Sequence, residues 1–292
     1  MGCNKCCKSF IWQRADNKRY REQHWFKLWV IESYTVRQLV NLSNYSKTKL
    51  RRIIHYWLSQ LPKEPIDLSK HKYLIYDGTY FHKNGCLICL MDSVRPKIIA
   101  NIYTAKEGFK NVRPWLEELK QQGLAPNFIS MDGERSVIRA IKATWRKVKI
   151  QRCLFHIQRE GMRWLRSHPK TLAGKELRQL LSTLNNVKSI KERNEFTRSF
   201  RQWIRRYYNF VQSLPTSTVA FKDLKRTIAL IHNALPDMFY YLKNPLAPAT
   251  TNSLESFYSR LKADYQRHRG LSETHKIHYL KWYCYYKNTN TL

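Results

Sequence analysis

The stretch Tyr73–Thr104, YLIYDGTYFHKNGCLICLMDSVRPKIIANIYT, decides the fold. Three runs within it, YLIYDGTYF (73–81), CLICLMD (86–92) and KIIANIYT (97–104), are rich in β-branched, aromatic and aliphatic residues and are set apart by polar and turn-forming ones. Asn84-Gly85 between the first two is a hairpin signal, because a tight turn needs positive φ at its central residues. Three antiparallel strands in a meander are expected. Working outward, a helical pattern around Val112 to Gln122 closes at Gly123, and PNFISMD (126–132) reads as a fourth strand. A helix carrying Val137, Ile138, Ile141 and Trp145 follows, then a short strand in KVKIQRC (147–153). A meander followed by strand–helix–strand crossovers predicts an α/β fold, a mixed sheet with helices on its faces.

On the far side, Leu154 to about Leu242 reads as helical throughout, the prolines of NPLAPATT (244–251) interrupt, and an amphipathic helix begins near Asn252. A long helical block after an incomplete α/β sheet has the form of an inserted subdomain. The first seventy residues read as helical and basic. Val36, Leu39 and Val40 mark a short amphipathic segment, Ser43 and Asn44 a polar turn, and Ser46 the cap of a second helix. That helix puts Leu50, Ile53, Ile54, Trp57 and Leu58 on one stripe and Lys47, Lys49, Arg51 and Arg52 near its start, as a DNA-recognition helix of a helix-turn-helix does. A plain helical hairpin with a solvated basic face has the same pattern. Pro62 and Pro65 then break it, which puts a domain boundary near residue 70.

Lys and Arg number 53 against 21 Asp and Glu, a formal charge of +32 spread along all 292 residues, so a polyanionic partner is expected and DNA is the first choice. With 43% hydrophobic residues the chain can still build a sizeable core, which excludes a disordered basic tail as the whole story. No run approaches the roughly 20 apolar residues of a membrane span. The start, MGCNKCCKSF, lacks the apolar segment of a signal peptide, so a cytoplasmic, nucleoid-associated location without membrane contact is expected. Seven cysteines, an odd number in so large a chain, do not form a disulfide framework.

Chemistry points to three carboxylates. Asp77 lies inside the first strand among apolar neighbours, where an acid is costly unless paired or bound to metal. Asp132 ends the fourth strand, the end at which open α/β sheets build their sites. If those two strands are adjacent, both acids face one crevice and can share a hard cation such as Mg²⁺ or Mn²⁺. Glu255, in TTNSLESFYSRLK (250–262), borders the apolar stripe of the last amphipathic helix in its first turn. Each has a plainer reading: Asp77 as a surface residue near the hairpin, Asp132 as a helix cap, Glu255 as the capping-box partner of Asn252. Asp92 and Glu134 compete for the same roles.

Four blocks, YDGTYF with Asp77, SMDGERSVIRAIK with Asp132, QRCLFHIQRE with Cys153 and His156, and TTNSLESFYSRLK with Glu255, resemble the acidic-triad insertion-sequence transposases of the Mutator-related group. The resemblance covers about residues 72–270. It implies a ribonuclease-H-like catalytic core interrupted by an all-helical insertion, with Asp77, Asp132 and Glu255 as catalytic metal ligands. It implies cleavage at transposon ends followed by strand transfer into target DNA, by a homo-oligomer that brings two terminal inverted repeats together. Cys153 and His156 carry over as a structural or DNA-positioning pair. Two ligands are too few for structural zinc, and a buried Cys packed on a satisfied His is the plainer reading. Arg260, Lys262, Arg267 and Arg269 follow Glu255 on one helix, placed to hold phosphates or merely to be solvated. CNKCCKSF resembles the second knuckle of a zinc ribbon, but Cys3 and Cys6 supply two ligands where four are needed, as a truncated copy or an upstream start would give, so Zn²⁺ is doubtful. The expected divisions are a partial zinc-ribbon remnant (1–16), a helix-turn-helix module (17–70), the first part of the core (71–153), the helical insertion (154–245), and the last core helix with a C-terminal tail (246–292). A related metal-dependent nuclease and an inactive DNA-binding remnant are the alternatives.

Overall fold

The computed structural model describes residues 14–62, 67–81 and 85–289. Three helices open it: α1 (Arg14–Ile31), α2 (Val36–Ser43) and α3 (Lys47–Leu58). Their starts are set by caps. Thr35 Oγ1 accepts the Gln38 backbone N–H while Gln38 Oε1 accepts that of Thr35, a reciprocal capping box, and Ser46 Oγ accepts the Lys49 N–H at 3.3 Å. Asn44, at φ 57°, turns the chain between α2 and α3. The apolar stripe of α3 buries Leu50, Ile53, Ile54 and Leu58.

The meander forms as expected: β1 (Tyr73–Tyr80), β2 (Cys86–Asp92) and β3 (Ile98–Thr104) pair antiparallel. Gly85 keeps a positive φ of 132°, and a Cβ there would stand 2.5 Å from the Tyr103 ring; Asn84 lies outside the described residues. Then come α4 (Phe109–Gln121), β4 (Phe128–Met131), α5 (Arg135–Thr144) and β5 (Lys149–Arg152). The strand order is β3-β2-β1-β4-β5, with β4 parallel to both β1 and β5. Every residue of β2 is buried, in keeping with the apolar run CLICLM that precedes Asp92. Leu74, Tyr76, Ile88, Leu116, Ile129 and Ile141 lie in one core between the sheet and α4 and α5.

Four helices follow, α6 (Leu154–Leu165), α7 (Leu172–Ser182), α8 (Ile190–Ser213) and α9 (Val219–Ala234), around a second core that includes Leu177, Phe196, Phe200, Trp203, Leu224 and Ile231. An irregular strap leads to α10 (Asn252–Tyr265) and α11 (Glu273–Thr289).

The chain divides into two compact units, Ile66–Ser256 and Met1–Pro65 with Phe257–Leu292. What the sequence suggested as a C-terminal tail is therefore helix α11, grouped with the N-terminal helices. Its aromatic residues explain this: Tyr279, Trp282, Tyr283 and Tyr286 are buried, Tyr279 donates to the Val30 carbonyl at 3.0 Å, and Trp282 Nε1 donates to the carbonyls of Trp57 and Gln60. A helix covered around most of its girth shows no clean apolar stripe in sequence. Among the described residues no helix is long and apolar enough to cross a membrane.

Candidate active site

Parallel pairing brings the first two acids level. Tyr73, Leu74 and Ile75 of β1 stand beside Phe128, Ile129 and Ser130 of β4, and the same register carried two residues further matches Asp77 to Asp132. Neighbouring strands lie about 4.8 Å apart, so the two carboxylates occupy adjacent positions at the end of β4. The electrostatics agree. Burial, and next the Asp132 carboxylate, push the Asp77 carboxyl up to about 7; Glu255 adds to the rise, while the Gly78 amide and His156 oppose it.

Asp132 is fixed from its backbone. One side-chain oxygen, Oδ1, accepts the N–H groups of Gly133 (2.5 Å) and Glu134 (3.1 Å), and Arg152 Nε donates to its carbonyl at 2.5 Å. A Cβ at Gly133 would fall 1.9 Å from Arg152 Nη2, so any side chain there would displace the guanidinium. The helix-cap reading belongs to Glu134 instead, whose Oε1 accepts the Ser136 N–H at the start of α5. Asp92 is also accounted for. It sits opposite Leu74, accepts the N–H groups of Val94 and Arg95, and contacts His71 Nδ1.

Glu255 is delivered by the strap and held by the C-x-x-H pair. Ser130 Oγ donates to the Pro248 carbonyl at 2.7 Å and the Leu154 N–H to that of Ala249 at 3.0 Å, which fastens the strap across the ends of β4 and α6. Thr251, fully buried, then donates from its N–H and its hydroxyl to Cys153 Sγ, at 3.4 and 3.5 Å. That hydroxyl lies 3.4 Å from His156 Nδ1 and 3.3 Å from Glu255 Oε1. His156 Nε2 stands 3.5 Å from Glu255 Oε1, and Arg159 Nη1 3.7 Å from its Oε2. Thr251, not Asn252, thus heads α10. Burial raises the Cys153 thiol, but hydrogen bonds from His156 and Thr251 outweigh it and leave the thiol below its usual value; burial lowers His156, and the Cys153 contact outweighs that and raises it.

Sequence reasoning missed one acid. Glu107, between β3 and α4, has Oε2 3.2 Å from where a Cβ of Gly78 would lie, and burial, with Asp132 and Glu134 adding and Tyr76 opposing, pushes its carboxyl up to about 7. Its only signal was a Glu-Gly pair at a strand-to-helix junction. Among the described residues no three His, Cys, Asp or Glu side chains already close on one point as a metal cage.

The other expected residues are scattered. Lys47, Arg51 and Arg52 are exposed in the first turns of α3, and Lys49 Nζ lies 3.4 Å from the centre of the Tyr45 ring. Arg260 and Lys262 are on α10, but Arg267 and Arg269 are not on that helix as expected: α10 ends at Tyr265, a 3₁₀ turn takes Gln266–His268, and Arg269 is extended. Burial of His268 and the positive φ of Gly270, 92°, set that ending. Cys3 and Cys6 lie outside the described residues.

No curated protein matches the chain. Of the solved structures similar to it, the Drosophila P element transposase strand transfer complex aligns over 99% of this chain and 94% of that chain, at 11% identity and a TM-score of 0.35. The simian T-cell lymphotropic virus intasome in complex with PP2A regulatory subunit B56 gamma aligns over 71% and 68%, at 14% and 0.23. Residues 91–235 match the family described as Transposase, Mutator family, a segment that contains Asp132, Cys153 and His156 and leaves Asp77 before it and Glu255 after it. Over that segment the chain is similar to the Mutator-family transposases.

Proposed function

We propose that this protein is a DNA transposase that cuts at transposon ends and joins them to target DNA, with Asp77, Asp132 and Glu255 as its catalytic acids. The observation that carries the reading is a half-buried Asp77 level with Asp132, with Glu255 anchored nearby through Thr251 and His156. The sheet order, with its antiparallel meander and parallel crossovers, supports a ribonuclease-H-like core, and the capped pair α2 and α3 supports a helix-turn-helix whose Lys47, Arg51 and Arg52 meet phosphate.

Asp77, whose affinity for protons is raised by burial and by the Asp132 and Glu255 carboxylates, belongs to a donor set suited to a hard divalent cation such as Mg²⁺, which Asp77, Asp132 and Glu255 would hold. Such an ion supplies activation of the attacking oxygen and stabilisation of the leaving oxygen in phosphodiester displacement. The protein's own part is positional. Arg152 fixes the backbone under Asp132, and the strap with Cys153, Thr251 and His156 fixes the helix that carries Glu255. Joining two ends requires two chains on DNA, so a homo-oligomer belongs to the proposal.

The test is a labelled duplex from the flanks of the gene, incubated with purified protein and Mg²⁺. Cut and joined products are expected, and Asp132→Asn should abolish both while DNA binding stays intact. Cleavage that survives in Asp132→Asn overturns the site assignment; cutting without joining replaces the transposase reading with a nuclease.

A further inference from the structure

Helix α8 has two unlike faces. Phe196, Phe200, Trp203 and Val211 are buried, and Trp203 Nε1 donates to the Ala173 carbonyl at 3.1 Å, so the roll of the helix is fixed. The opposite face lines a groove of about 820 Å³ with Arg198, Arg201 and Arg205, and Arg193 from the first turn and Lys243 from the segment after α9 also line it. No acidic side chain lines this groove, and among the described residues Arg198, Arg201, Arg205 and Lys243 have no ion pair. Like charges three and four residues apart destabilise a helix, so this row is a cost that a polyanion would relieve.

From this geometry we infer that the α8 groove binds the phosphate backbone of duplex DNA, as a surface separate from the carboxylate site; the inference rests on DNA being the partner in the function proposed above. A duplex fits better than a single strand because the lining offers at most one partly exposed ring, that of Tyr240, for base stacking. Phe239 is buried, and Tyr240 packs on Phe128 with Lys149 over its ring. Charge without stacking reads backbone, not bases. The three exposed, unpaired arginines on a rigid helix are independent phosphate contacts.

The test is equilibrium binding of a fluorescein-labelled, random-sequence DNA duplex, in EDTA, across a salt series. The triple variant Arg198→Gln/Arg201→Gln/Arg205→Gln should lower the slope of log affinity against log salt by about 3, at about 0.9 per phosphate contact. Replacing the same three with Lys should restore the slope. A control triple elsewhere, Lys142→Gln/Arg146→Gln/Lys147→Gln, removes the same charge and should leave it unchanged. An unchanged slope in the α8 triple or an equal fall in the control would each overturn the groove. Because EDTA excludes cleavage from this measurement, an absence of cleavage in the functional assay would sink the catalytic reading alone.

Discussion

The carboxylate site and the α8 groove place charge in opposite ways. In the first, half-buried acids share partners: Asp77 feels Asp132 and Glu255, and Glu255 shares Thr251 with Cys153 and His156. In the second, Arg198, Arg201 and Arg205 are exposed and separate. Burial makes charges interdependent, because each loses water and must find its compensation in the others. Exposure leaves them additive and screened by salt. Substitutions at the two places should therefore differ in kind as well as in size.

The largest expected effect is at Asp77 and Asp132. Replacing either with Asn should cut cleavage by about 10³-fold or more while leaving DNA binding nearly unchanged, since a lost oxygen ligand removes transition-state stabilisation. Asp77→Asn should also stabilise the fold. The folded protein holds a proton on Asp77 up to about pH 7, whereas the unfolded chain releases it near the ordinary value of 3.8. The folded state therefore binds more protons between these values, and stability falls as pH rises through that window, by on the order of 4 kcal/mol from this group. Thermal melts at pH 5 and pH 7 should differ less in Asp77→Asn than in the wild type, and its pH 7 melting temperature should be higher. A lower one would mean that Asp77 is compensated within the protein.

Next in size is Gly133→Ala. The new methyl would enter the space of the Arg152 guanidinium at 1.9 Å, so Arg152 must leave the Asp132 carbonyl or the strand end must shift. A destabilisation of about 2–3 kcal/mol, seen as a lower denaturant midpoint, is expected. The C-x-x-H pair tests interdependence directly. Cys153→Ala and His156→Ala should each reduce cleavage by about 10–100-fold, as outer residues that orient catalytic groups do, and the double variant should be little worse than either. Multiplied effects would show that the two act separately and would remove the site from the comparison.

Much of this was legible in the chain. Periodicity and turn chemistry put strands, caps and Gly85 where they are, and Asp77 and Asp132 could be matched because the first sits on a strand and the second directly follows one. What was not legible depends on distant contacts. The spacing of Cys153 and His156 says nothing of Thr251, which meets them from 98 and 95 residues away. Arg152 behind Gly133 is hidden for the same reason. Glu107 sits in a loop without period, and α11 lacks a one-sided stripe because it is buried nearly all round.

The smallest effect is the most diagnostic of the exposed region. Arg198→Gln, Arg201→Gln and Arg205→Gln, taken singly, should each lower the salt slope of duplex binding by about 0.9, with the triple near their sum, because solvated cations that release counterions one by one do not depend on each other. Cleavage under saturating DNA should stay within about twofold, since binding lost uniformly from ground and transition states leaves turnover intact. Single substitutions whose slopes fail to add would mean that the arginines act as a coupled cluster on one phosphate. The α8 row would then resemble the carboxylate site more than its exposure implies, and interdependence would follow from sharing a partner, with burial only one way of enforcing it.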